Sequence, residues 1–278
     1  MTKKIALLDG DIFAYEAASA AEQPINWGGG MWTLHAFEEP AIASLDGKIQ
    51  RMAEKVEADR IIVALSDSEN WRKDVLSTYK SNRSGVRKPM ILNSLKKHIE
   101  QSYETWVRPS LEADDVLGIL STWDSLEGEK VIVTKDKDLQ TIPGLHYVMH
   151  KDQHLEVSED QADVNHLVQA LAGDSTDGYS GCPGVGEQTA REILAEPFGW
   201  EQYEHTFKSG KRKDETELRW RKRSVNSRWE AVVDHFIKAG LSEDEALVQA
   251  RVARICRAED YDFKSKKVKL WNAKTSSC

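Results

Sequence analysis

Apolar residues along the chain fall into two patterns. Short unbroken runs occur at residues 5–8 (Ile-Ala-Leu-Leu), at 61–65 after Arg60 and at 131–133 after Lys130, and each is followed by an acid: Asp9, Asp67 or Asp136. Continuous runs of this length, closed by a turn signal, suit buried parallel strands. Between them the spacing changes to that of helices, as in Ile42, Leu45, Ile49, Met52, Ala53 and Val56. The same spacing predicts helices over 12–21, 71–79 and 90–103, and again from 164 to 171 and from 189 to 194. Trp106 and Val107 predict a short strand. Ser110 is the candidate N-cap of a helix buried through Val116, Leu117, Ile119 and Leu120. Residues 22–39, rich in Gly, Trp and Pro, read as a loop or hairpin. His146, His150 and His154 are four apart, but their surroundings alternate like a strand, so they are not expected to bind metal. From about Trp200 onward the chain reads as helical and charged. Strands alternating with helices define an α/β fold with a mostly parallel sheet.

The acids give this pattern its chemistry. Glu112, Asp114 and Asp115 place three carboxylates in four residues, beside apolar neighbours. Like charges about 4 Å apart repel by about 4 kcal/mol at an effective dielectric of about 20. A fold that gathers such groups needs cations. Open α/β sheets place their sites beyond the carboxyl ends of the strands. That rule brings Asp9, Asp67, Asp136 and Asp138 to one rim, with the Glu112 helix beside it. Asp174 and Asp177 form a further paired-acid turn. Oxygen-only ligands select Mg²⁺ or Mn²⁺ over zinc, and two such ions suit phosphodiester hydrolysis. Neither a Gly-x-x-x-x-Gly-Lys loop nor a Gly-x-Ser-x-Gly elbow is present, which argues against ATP hydrolysis and serine-type acyl chemistry.

Composition changes the picture only in part. The chain has 278 residues and a formal charge of −8, which alone argues against a nucleic-acid partner. Charge is patterned, however. Nine Lys or Arg lie between Lys208 and Arg228 against three acids, and Lys80, Arg83, Arg87, Lys88, Lys96 and Lys97 form a second basic stretch. Three scattered cysteines, Cys182, Cys256 and Cys278, suggest a reducing cytoplasm without a disulfide framework. No signal or membrane segment is expected. A glycine loop at 181–186 precedes a helix, a combination that lets backbone N–H groups approach a phosphate.

These residues occur in the order of a known family. Asp9-Gly10-Asp11, Asp67, Tyr79-Lys80-Ser81-Asn82-Arg83, Glu112-Ala113-Asp114-Asp115, Asp136-Lys137-Asp138 and Gly173-Asp174-Ser175-Thr176-Asp177 resemble the motifs of the flap endonuclease and 5′-3′ exonuclease superfamily, with T7-like bacteriophage exonucleases most similar. The resemblance implies a PIN-like sheet domain over residues 1–160 with a helical arch. It also implies a helix-three-turn-helix and a helical C-terminal DNA-binding region over 161–278. Asp9, Asp67, Glu112, Asp114 and Asp115 would hold a first metal; Asp136, Asp138, Asp174 and Asp177 would hold a second. Lys80 and Arg83 would contact the scissile phosphate, and Tyr79 would stack on a base. Gly184, Val185, Gly186, Gln188 and Thr189 would grip the duplex backbone, where the family often holds K⁺. Asp11 stands where Asn or Ser is frequent and is assigned to support the ligands from behind. The implied activity removes nucleotides from a DNA 5′ end or cuts a 5′ flap, with RNA–DNA hybrids as a further substrate, in the cytoplasm of a bacterial host. Two departures concern duplex grip: Gly178 follows Asp177 where Asn is usual, and Gln188 stands where Lys is common. The alternatives are a non-catalytic DNA-binding member of the fold and a PIN-type ribonuclease, the latter disfavoured by the length and the glycine loop.

Overall fold

A computed structural model describes residues 3–83 and 85–273. In chain order it begins with strand β1 (Lys4–Asp9), helix α1 (Gly10–Ala21), a hairpin of β2 (Glu22–Asn26) and β3 (Trp32–Ala36), and helix α2 (Glu38–Lys55). Strand β4 (Arg60–Ala64) follows, then the short helix α3 (Arg72–Val75), a 3-10 turn at Ser81–Arg83, helix α4 (Leu92–Ser102) and strand β5 (Glu104–Trp106). Helix α5 (Ala113–Thr122), β6 (Glu129–Thr134), β7 (Gly144–Val148) and β8 (Gln153–Val157) come next. The remainder holds α6 (Glu159–Ala172), α7 (Glu187–Ala195), β9 (Phe198–Thr206), β10 (Thr216–Ser224), α8 (Arg228–Lys238), α9 (Glu243–Ala253), β11 (Tyr261–Asp262) and β12 (Lys267–Val268).

The chain divides into two compact units, each discontinuous in sequence. The first comprises the chain up to Trp71, Arg83–Ala162 and Ile255–Lys269; the second comprises Arg72–Asn82, Asp163–Arg254 and Leu270 onward. In the first unit six strands form one sheet in the order β5-β4-β1-β6-β7-β8. Every pairing is parallel except β7 with β8. This is the mostly parallel sheet that the apolar runs predict. Ala6, Leu8, Val63, Val131 and Val133 bury one face against Phe13 of α1, Leu45 and Ile49 of α2 and Leu95 and Ile99 of α4. Ile5, Leu7, Ile62 and Ile132 alternate with them and point to the opposite face, where α5 packs. Each large apolar side chain so buried is worth about 1.5–3 kcal/mol.

The second unit has its own core. Leu167, Leu171, Ile193, Leu194, Val232 and Phe236 bring α6, α7 and α8 together. Its 72–82 segment is fastened to α9: the buried Arg72 guanidinium donates from Nε to the Val252 carbonyl at 2.9 Å and from Nη2 to that of Arg254 at 2.7 Å. No helix among the described residues is long and apolar enough to cross a membrane.

Several sequence expectations are corrected. The helix expected over 71–79 is a single turn, Arg72–Val75; beyond it the chain continues in turns, with Tyr79 N donating to Leu76 O and Ser81 N to Thr78 O. Ser110 is not the N-cap: it holds a positive φ of 61°, and Glu112 caps a helix that begins at Ala113. The segment after Trp200 is not helical at first. It forms an antiparallel hairpin of β9 and β10, paired from Phe198 with Ser224 to Thr206 with Thr216. Of residues 22–39, 22–36 form a hairpin whose tip glycines, Gly28, Gly29 and Gly30, take positive φ, and Glu38 already opens α2. Of residues 80–99, which the resemblance marks as the arch region, Ser81–Arg83 form a 3-10 turn and Leu92 onward belongs to α4, while residues 85–91 carry no helix. His146 and His154 sit on strands, as their alternation indicates. Cys182 and Cys256 are buried free thiols; Cys278 lies outside the described residues.

Candidate active site

The first unit gathers acids at one rim of its sheet. The strands β4, β1 and β6 are neighbours and parallel, so Asp67, Asp9 and Asp136 emerge at the same end. Asp9 ends β1 and caps α1, its Oδ1 accepting the N–H of Asp11 at 3.0 Å and of Ile12 at 3.2 Å. Ser66, just past β4, ties this corner to α5. Its N–H donates to Asp11 Oδ2 at 3.2 Å, and its Oγ accepts the N–H of Ala113, between Glu112 and Asp114, at 2.9 Å. Asp67 completes the link, since its Oδ2 accepts the Ser110 N–H at 2.7 Å and its own N–H donates to Leu111 O at 2.9 Å. That bond secures Ser110 in its left-handed conformation.

Burial and charge set these groups apart. Burial, then the neighbouring Asp11 and Asp136 carboxylates, push the Asp9 carboxyl up to about 7 against the N–H bonds that favour its ionised form. Asp67 goes the other way: the N–H of Ser110, then that of Ser68, hold its carboxyl below the usual range. Glu112 and Asp114 are half-buried, and so are Asp136 and Asp138. Asp136 and Asp138 lie in a turn, not on extended chain. Asp136 Oδ1 accepts the Asp138 N–H at 2.8 Å, and Asp138 opens a 3-10 turn. Asp11 reaches behind the rim, with Lys96 Nζ at 2.6 Å from its Oδ1.

Asp115 differs from its neighbours. It is fully buried and its carboxylate accepts three N–H groups: Trp71 Nε1 at 3.1 Å, Cys256 N at 3.0 Å and Glu112 N at 3.3 Å. These bonds anchor the start of α5 and with it Glu112 and Asp114. Sequence reading missed Ser66, Trp71 and Lys96 in these supporting positions; only Lys96 left a signal, as part of a basic stretch.

The second unit holds a smaller polar group. Asp174 follows Gly173, whose positive φ lets the chain turn against Ser180 and Gly181, where a Cβ would collide with backbone. Asp174 Oδ1 accepts the Thr176 N–H at 2.7 Å, which closes the turn that carries Asp177. Lys80, at φ 52°, donates its N–H to Asp177 O at 2.7 Å, and its Nζ lies 3.5 Å from Asp177 Oδ2. The Tyr79 hydroxyl donates to the same Oδ2 at 3.0 Å. Tyr79 is 3% exposed and packs with Tyr179, Val252 and Ala253, so its ring is not presented for base stacking. Arg83, in the first unit, is exposed at the end of its 3-10 turn. The glycine loop is exposed at Gly184 and Gly186, where an added Cβ would meet nothing within 4 Å, and Gln188 and Thr189 are exposed in the first turn of α7.

Among the described residues, no three Asp, Glu, His or Cys side chains are arranged to enclose a metal ion. The donor chemistry nonetheless fits a hard divalent cation. The rim offers carboxylate oxygens, and beside the burial that chiefly raises Asp9, the Asp11 and Asp136 carboxylates crowd negative charge there.

The acids lie beyond the carboxyl ends of a mostly parallel sheet, where open α/β enzymes place their sites. Residues 4–168 match the family model of the 5′-3′ exonuclease N-terminal, resolvase-like domain. The chain is 35% identical over 285 residues to an exodeoxyribonuclease of Enterobacteria phage T3, covering 98% of this chain and 94% of that one. It is 34% identical to an exonuclease of Escherichia phage T7, covering 97% and 93%. A flap endonuclease Xni of Shewanella oneidensis is 31% identical over 141 residues, covering 46% of this chain and 54% of that one. Two solved structures share the fold. One is a bacteriophage T5 protein co-crystallised with metal ions, with a TM-score of 0.54 at 18% identity, covering 70% of this chain and 75% of that one. The other is a T5 flap endonuclease in a pseudo-enzyme-product complex with DNA and metal ions, with a TM-score of 0.54 at 16% identity and the same coverage. The chain belongs to the 5′-3′ exonuclease family and is a nuclease of the exonuclease and flap endonuclease class.

Proposed function

We propose that the chain hydrolyses DNA phosphodiesters from a 5′ end, and at 5′ flaps, with two divalent metal ions, Mg²⁺ or Mn²⁺. The observation that carries this reading is the carboxylate rim at the ends of β4, β1 and β6. In this reading Asp9, Asp67, Glu112 and Asp114 hold the first ion, with Asp115 fixing their helix. Asp136, Asp138, Asp174 and Asp177 hold the second. When bound, the ions supply the positive charge that lowers the pKa of an attacking water and offsets charge on the leaving oxygen.

The chain's own groups do the rest. The Lys80 ammonium, held beside Asp177, donates to the scissile phosphate as its negative charge grows in the transition state. Tyr79 orients Asp177 through its hydroxyl. Arg83 reaches a neighbouring phosphate. The exposed glycine loop and the first turn of α7, including Gln188 and Thr189, hold the duplex backbone through N–H groups that the helix leaves unpaired.

Digestion of 5′-labelled duplex tests the reading. Asp136→Asn and Asp174→Asn should each abolish Mg²⁺-dependent release of nucleotides while DNA binding survives. Normal digestion by both variants would refute it. A protein that binds duplex but never cleaves would instead be a DNA-binding member of the fold. Parallel RNA and hybrid substrates separate it from a ribonuclease.

A further inference from the structure

The hairpin of β9 and β10 lies outside the span matched by the family model. From Phe198 to Ser224 it carries eight Lys or Arg against five acids, in a chain whose formal charge is −8. Its base is fixed on α8. Trp200 N donates to Asp234 Oδ2 at 3.0 Å, and Arg223 pairs with the same carboxylate at 2.7 Å. Gly199 is required there, because a Cβ would collide with Asp234.

The arginines and the lysines of this region are treated differently. Arg212, Arg219, Arg221 and Arg223 are all paired with carboxylates of the hairpin or α8. Lys222 has no such partner among the described residues, nor has Lys238 at the end of α8. Lys222 Nζ sits 3.8 Å from the centre of the Phe198 ring, and Lys238 Nζ sits over Trp200. Burial, then the nearby Lys222 ammonium, lowers the proton affinity of Lys238. His235, between them, is no counter-ion: its Nε2 accepts from Trp200 Nε1 at 3.0 Å while Nδ1 bonds to Ala231 O, so the ring is neutral. Phe198, Trp200, His235 and Lys238 line a cavity of about 380 Å³ whose other wall is the glycine loop, with Gly184 and Val185. Two exposed cations thus sit over aromatic faces beside the exposed Gly184 and Gly186, an arrangement that suits an anion.

We propose that Lys238, on the wall of this cavity, and Lys222, over the Phe198 ring that also lines it, together hold a phosphate of the DNA backbone, and that the hairpin prolongs the grip of the glycine loop along the substrate. The inference rests on the proposed function for its choice of ligand. Lys208, Lys211 and Lys213 at the hairpin tip also lack a carboxylate partner among the described residues and extend the same basic track. Phosphate contacts of this kind are independent of sequence and release counter-ions, so they show in the salt dependence of binding.

The test is binding of a labelled duplex with a 5′ end, in EDTA, over a series of KCl concentrations. The double variant Lys222→Gln with Lys238→Gln should weaken binding and reduce the slope of log affinity on log salt by about 2. Lys222→Arg with Lys238→Arg, which keeps the charge, should restore most of the slope. Lys264→Gln with Lys266→Gln, in the β11–β12 turn, serves as the charge-matched control and should keep the wild-type slope. An unchanged slope in a folded double Gln variant overturns the inference, including the case in which these lysines serve an acidic protein partner. If the wild-type protein shows the lysine-dependent slope but no cleavage in Mg²⁺, the proposed function fails and this inference stands.

Discussion

Asp9 shows how much a single residue reveals about its site. Its carboxyl is raised from 3.8 to about 7 by burial and by two neighbouring carboxylates. Between those values the folded protein binds the proton that the unfolded chain has already lost. Stability without metal therefore falls as pH rises from about 4 to about 7, then levels off, by at most about 4 kcal/mol. Urea unfolding in EDTA should show wild type losing stability from pH 5 to pH 8 relative to Asp9→Asn, and added Mg²⁺ should reverse the loss. Equal pH dependence for the two proteins would contradict the burial argument. Lys80 carries a different expectation. Lys80→Ala should slow the single-turnover cleavage rate by at least about tenfold, since a donor to the developing charge contributes to the transition state; a change in DNA affinity alone would remove it from the chemistry. The sequence made the acids legible because carboxylates at the ends of apolar runs are costly without a purpose. It could not separate Asp115 from Asp114. Both lie in one turn, and only the indole of Trp71 and the N–H of Cys256 mark Asp115 as an anchor.

At the scale of elements, two fastenings position the candidate site. The start of α5 depends on the buried Asp115 carboxylate, so Trp71→Phe removes one of its donors. That should cost about 1–3 kcal/mol in urea unfolding, and an unchanged midpoint would show that another donor replaces the indole. In the same helix Gly118 lies against the Cys256 carbonyl and the Ile142 side chain. Gly118→Ala should destabilise the first unit by about 1–3 kcal/mol, read as a lower unfolding temperature. The hairpin of β9 and β10 shows why the remaining elements were less legible. Dense charge suggested a helix, yet Tyr203, His205 and Phe207 recur at every second position, and their rings meet edge to face. That spacing belongs to a strand. Helix α3 is shorter than its pattern suggests for a related reason. The spacing is helical, but the bond from Lys80 N to Asp177 O belongs to a turn between distant segments that local periodicity does not encode.

For the whole molecule, the parallel sheet and its strand-end acids were readable because both follow from local pattern and a general rule of open sheets. The discontinuous make-up of the units was not. Residues 72–82 join the second unit, and Ile255–Lys269 the first, through contacts with partners more than a hundred residues away. Family membership connects these pieces to one activity, since similarity to the phage T3 exonuclease spans 98% of the chain. The central claim is that acids from the sheet rim and from the Asp174 turn serve one metal-dependent hydrolysis. Its most direct measurement is the product pattern from a 5′-labelled blunt duplex and a 5′-flap duplex incubated with Mg²⁺, for wild type, Asp136→Asn and Asp174→Asn. The account predicts short 5′ products from wild type in Mg²⁺, none in EDTA, and none from either variant. Undiminished cleavage in EDTA, or by both variants in Mg²⁺, would contradict it.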